Sequence, residues 1–150
     1  MKLTLTNTSL SNSWLYGIIE NDGIFLCDTL EFGSMGSLPS GNYTLKLTQF
    51  QSNLKPLISI YNDVNEYVSC INTEPCIFWR NRKIREKTTN ITIGLKTSEP
   101  LLVMHEYVFT LCLTALKRAL SRNENIELVI MNSQYRKDAL QIRIETITNY

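Results

Sequence analysis

Five side chains carry the nucleophilic and acid–base chemistry open to this sequence: Cys27, Cys70, Cys76 and Cys112, and a single histidine, His105. A cysteine beside a histidine is held as a thiolate, the form that attacks a carbonyl carbon. Cys76 and His105 are the candidate catalytic pair. His105 falls one position from the apolar stripe of a helical pattern, so a half-buried structural histidine is the competing reading. Cys70 and Cys76 lack zinc-knuckle spacing, and one histidine cannot complete a four-ligand site without remote partners, so no metal is expected. No cofactor is implied either. Asp22, Asp28, Glu31, Asp63, Glu66 and Glu74 fall in turns or at strand ends, and nothing marks two of them as an acid–base pair.

The densest charge is a basic run, Arg80, Arg82, Lys83, Arg85 and Lys87, beside Trp79 and with Glu86 as its one acid. Cations next to an aromatic ring suit RNA or single-stranded DNA, where phosphates bind the charges and bases stack. An acidic patch on a protein partner would be met by the same chemistry. A solvated loop balanced by acids elsewhere is the third reading, and the net charge of +1 agrees with it.

Most of the elements that must position these groups are strands. Leu3 and Leu5 alternate with Thr4 and Thr6. Residues 14–20 and 24–30 flank Asn21-Asp22-Gly23, where glycine supplies the positive φ of a hairpin turn. Residues 31–41 form a Gly-rich loop, followed by a strand over 42–50 with Tyr43, Leu45 and Leu47 on one face. A further strand over 54–61 carries Pro56, and a short one covers 68–71. Ser98-Glu99-Pro100 reads as a helix start. Leu101, Met104, Val108, Leu111, Cys112, Ala115 and Ala119 then recur at helical spacing. Residues 126–131 and 140–148 read as a closing antiparallel pair, with Leu140, Ile142 and Ile144 alternating. The expected fold is mainly β, within α+β. It is a curved antiparallel or mixed sheet, or a sandwich, of about eight strands with one long amphipathic helix packed on it.

At 150 residues the chain is read as one domain, 43% hydrophobic and 19% charged, an ordinary globular composition. The small net charge gives no global field for nucleic acid or anionic membranes. The N-terminal residues have no apolar segment of the secretory kind, so a cytoplasmic or virion location and reduced core thiols are expected. The longest apolar segment is too short to span a bilayer, so no membrane insertion is expected.

Short motifs in order resemble a family of small, uncharacterised L,D-transpeptidase-like domains of bacteria and phages. Phe25, Cys27, Thr29, Leu30 and Glu31 match the pattern F-x-C-x-T-L-E. Leu38, Pro39, Gly41 and Tyr43 match I-P-x-G-x-Y. Residues 77–94, IFWRNRKIREKTTNITIG, resemble the active-site cassette I-x-I-H-x-G-N-x-x-x-D-T-x-G-C-I-x-x-G. Ile77 and Trp79 match its leading strand, Thr88 its threonine, and Ile93 and Gly94 its close. Arg80 stands in place of the histidine, Arg82 and Lys83 replace Gly-Asn, Lys87 replaces the aspartate and Asn90 the glycine. The cysteine is either replaced by Ile91 or deleted.

A guanidinium is never deprotonated at neutral pH, so Arg80 cannot act as a base. The resemblance therefore implies an L,D-transpeptidase-like fold with a degenerate site and no catalytic residues. It implies a pseudoenzyme kept as a binding or structural module, and its phage association suggests a virion or assembly component. A protein partner or a homo-oligomer is expected, contacted through Trp79 and the basic run, with nucleic acid as an alternative. The rival is an active cysteine enzyme on peptidoglycan peptides, using Cys76 and His105.

Overall fold

Alternating apolar residues in the N-terminal part fold into three successive antiparallel strands, β1 (Lys2–Ser11), β2 (Trp14–Asn21) and β3 (Ile24–Phe32). The β2–β3 turn has positive φ at both Asp22 (51°) and Gly23 (81°), the twist a two-residue hairpin requires. The computed structural model describes residues 1–32, 37–48, 57–73, 89–98 and 102–148. Its further strands are β4 (Gly41–Thr48), β5 (Leu57–Tyr61), β6 (Tyr67–Asn72), β7 (Thr89–Gly94) and β8 (Glu127–Ile130).

These eight strands close on themselves in the order β1-β2-β3-β7-β6-β5-β4-β8, so the sheet is a barrel and not a sandwich. Two of the seams are parallel, β1 with β8 and β6 with β7; the others are antiparallel. Closure leaves no edge among the described strands, which solves the problem of unpaired backbone groups. Leu5, Ile19, Ile58, Ile60, Ile93 and Leu128 fill the interior. Thr44 and Lys46, which alternate with Tyr43 and Leu45, are exposed on the outside.

α1 (His105–Ser121) lies across one mouth of the barrel and buries Val108, Phe109, Cys112, Leu116 and Ala119 in the same core. It starts later than the sequence pattern suggests. Leu95 and Val103 exchange backbone hydrogen bonds of 2.9 and 3.0 Å, which hold Val103 extended. Met104 is then left-handed (φ 57°), and the helix begins at the next residue without a side-chain cap. Met104 and Leu111, expected on the apolar stripe, are 55% and 46% exposed, because the inward face is set by the later start. The expected cap at residues 98–100 falls partly outside the described residues.

The C-terminal expectation is corrected more deeply. Residues 140–148 belong not to a strand but to a second helix, α2 (Gln134–Thr148). Ser133 caps it, accepting the Arg136 backbone N–H at 3.1 Å. β8 finds its partners in β4 and β1 instead. An expected single helix is thus two. Leu140, Ile142 and Ile144 alternate like a strand, but a short apolar run of that kind fits either element. The cap and the burial of Arg136 and Ala139, three residues apart, decide for helix. No helix among the described residues is long and apolar enough to cross a membrane.

Candidate functional site

β7 ends where α1 begins, and His105 sits at that junction. Its Nδ1 lies 2.8 Å from the backbone carbonyl oxygen of Ile93. A carbonyl only accepts, so Nδ1 carries the proton and Nε2 of the neutral ring keeps its lone pair. Gly94 is the closest point of approach. A Cβ there would lie 2.8 Å from the Val103 carbonyl oxygen, 2.9 Å from Leu102 Cβ and 3.1 Å from His105 Nδ1. The glycine that ends the cassette pattern is therefore required by the segment folded back over it.

The described thiols are all buried and have partners other than His105. Cys27, on the inner face of β3, and Cys112, on the inner face of α1, hydrogen-bond to each other. That bond, more than burial, pushes the Cys27 thiol far above the ordinary thiol range. The same bond draws Cys112 down, against the opposing effect of burial. Burial raises Cys70, and a hydrogen bond from Tyr67 partly offsets it. Beside Cys112, a cavity of about 10 Å³ is bounded by Leu3, Ile19, Ile58, Ile71 and Ile93. That is room for about one water molecule.

The opposite end of the barrel is polar. Asn7, Thr29 and Glu31 continue the inward-facing rows of β1 and β3, and all three are buried. Arg136, from the first turn of α2, reaches into them. Its Nη1 and Nη2 donate to Glu31 Oε1 and Oε2 at 3.0 and 2.5 Å. Nε donates to Asn7 Oδ1 at 3.0 Å, and Nη1 also donates to the Leu38 carbonyl at 2.7 Å. Arg136 is 1% exposed and Glu31 2%. Tyr43 donates to the Pro39 carbonyl at 2.7 Å, which fixes the turn that carries Leu38. Both N-terminal motifs thus converge on one guanidinium. Glu31 and Leu38 hold Arg136, and Tyr43 holds the Leu38–Pro39 turn. They build the fold's second plug.

Of the residues singled out from sequence, His105 is described; Cys76, Trp79, Arg80, Arg82, Lys83, Arg85 and Lys87 lie outside the described residues. The closing strand of the cassette is present as β7, with Ile91 and Ile93 in the core. Sequence reasoning missed Arg136 altogether. One signal pointed to it: Ser133 three positions upstream, a cap that would place Arg136 in the first turn of a helix. No group of metal-ligating side chains occurs among the described residues.

The sequence matches no protein-family model, and searches of curated proteins and of solved structures return no match.

Proposed function

We propose that this chain is a non-catalytic binding or structural module, an L,D-transpeptidase-like barrel that has lost its catalytic pair and engages a protein partner through its surface. The supporting observation is that both ends of the barrel are filled. Apolar side chains of α1 close one end. The Arg136–Glu31 pair closes the other. The cavity beside Cys112 holds about one water. A filled barrel offers its outside, not its lumen, to other molecules. The described thiols, those of Cys27, Cys70 and Cys112, are buried in the core, which fits a non-catalytic module. A phage virion or assembly component fits this role and rests on the motif resemblance alone.

A second reading keeps the enzyme. His105 donates its Nδ1–H to a backbone carbonyl, which in a neutral ring is the tautomer with Nε2 unprotonated. That is the tautomer a general base for Cys76 would need. Incubation with peptidoglycan stem peptides, read by mass spectrometry, separates the two. Unchanged peptides support the module. Turnover that disappears in both Cys76→Ser and His105→Gln would replace it with the enzyme.

A further inference from the structure

The outer face of α1 has the make-up of a contact surface. Tyr107 and Leu111, one turn apart on the side away from the barrel, are exposed, and exposed Met104 flanks them. Thr110 and Thr114 lie on the same face and are exposed too. Each threonine hydroxyl donates to a carbonyl of its own helix, Thr110 to Glu106 at 2.9 Å and Thr114 to Thr110 at 2.8 Å. Their protons are already placed, so drying this face strands no hydroxyl donor. The charges are sorted by end. Glu106 stands in the first turn of the helix, and Lys117 and Arg118 stand near its close, all three exposed. Glu106 and Lys117 share one flank of this face, and Tyr107 and Arg118 the other, because eleven positions make about three helical turns.

We infer that α1 is the contact surface of a homodimer, in which the helices of two copies pack antiparallel across a two-fold axis at the level of residue 112. This rests on the reading of the chain as a module that binds through its surface, and it names the partner as a second copy. A two-fold axis across a helix pair sets each flank against the same flank of the other copy. Glu106 then comes opposite Lys117 of the second copy, an ion pair of opposite charges. Tyr107 comes opposite Arg118 of the second copy, a guanidinium against a ring. Thr110 and Thr114 meet at the centre, where short side chains let two helices approach to about 8–10 Å. The midpoints of all three pairs fall within one residue of position 112, so a single axis serves them all. Parallel packing would set Glu106 against Glu106 and Arg118 against Arg118, and the charge order disfavours it. One helix pair makes a small specific interface, so affinity in the micromolar range is expected.

The test is sedimentation of the full chain from low to high micromolar concentration, under reducing conditions so that no cysteine link is counted. A reversible monomer–dimer equilibrium is expected. Glu106→Lys and Lys117→Glu each create two like-charge contacts across the axis and should weaken the dimer at least about tenfold. The double variant Glu106→Lys, Lys117→Glu keeps the net charge and restores opposite signs across the axis, so it should dimerise again. Hydrogen exchange of the wild-type chain should slow in peptides spanning α1 as concentration rises, a reading that needs no variant to fold. A chain that stays monomeric, a dimer indifferent to both reversals, or protection that spares α1 overturns the proposal. A monomer that leaves peptidoglycan stem peptides unchanged removes the homodimer and keeps the binding module, whereas turnover of those peptides removes the module and leaves the dimer measurement standing.

Discussion

Arg136 and Glu31, separated by 105 positions in sequence, meet as a two-pronged ion pair with both side chains withdrawn from solvent. Each guanidinium–carboxylate prong is a charge-assisted hydrogen bond, and the fork geometry suits arginine and not lysine. Removing one partner leaves the other charge buried and uncompensated. Arg136→Ala and Glu31→Ala should therefore each cost about 3–5 kcal/mol in urea unfolding. Arg136→Lys should recover only part of that loss. A paired Glu31→Leu, Arg136→Met variant should lie closer to wild type than either single alanine. If the double variant is as unstable as the sum of the singles, the two side chains are not coupled.

Gly94 gives the second prediction. A Cβ at this position meets the Val103 backbone, which cannot rotate aside. Gly94→Ala should destabilise the fold by about 1–3 kcal/mol through overpacking. It should also shift the His105 imidazole resonances, because the ring shares the contact. An unchanged histidine spectrum would mean that residues 102–105 do not sit over the end of β7.

Stability should fall in mild alkali. Burial and local hydrogen bonds raise Cys27, Cys70, Tyr43 and Tyr67, so the folded state holds their protons longer than the unfolded chain does. Stability from such groups is complete below their unfolded values and is lost as pH climbs past about 8.5 for thiols and about 10 for phenols. Cys112, drawn downward, opposes this in part. Melting temperature should therefore drop between about pH 8 and pH 10. Cys70→Ala should make that drop shallower. A flat profile in the wild-type chain would refute the assignment.

The basic run supplies the fourth. Replacing Arg82, Lys83 and Arg85 with serine should leave the folding stability within about 1 kcal/mol of wild type, as for solvated charges. A protein partner should lose affinity, and its association with the wild-type chain should slow as salt rises. A nucleic acid would instead show log affinity falling with log salt by about 0.7 to 0.9 per phosphate neutralised. Full binding by the folded triple variant would remove this segment as the interface.

The strands were legible because period-two alternation records which face is buried. Tyr43 and Leu45 pointed inward as the sequence indicated, and the Asp22-Gly23 turn announced its own geometry. Closure was not legible, since pairing β1 with β8 depends on curvature accumulated over every strand between them. α2 was hidden for a related reason. Its buried face is led by a charged residue, and hydrophobic periodicity cannot register an arginine as core. The partner that makes Arg136 a core residue, Glu31, lay in a motif whose acid had no visible counterpart.

The seam between β1 and β8 sets an order of events during synthesis. β1, β2 and β3 can zip together as soon as they leave the ribosome, yet the other side of β1 stays bare until residues 127–130 are made. Until then the growing chain carries an open strand edge, of the kind that attracts other chains. The register shift between Asn7 and Ser9 distorts β1 partway along, which shortens the straight portion of that edge. Among the described strands, the last to emerge is the one that locks the first, so the barrel closes only once β8 is made.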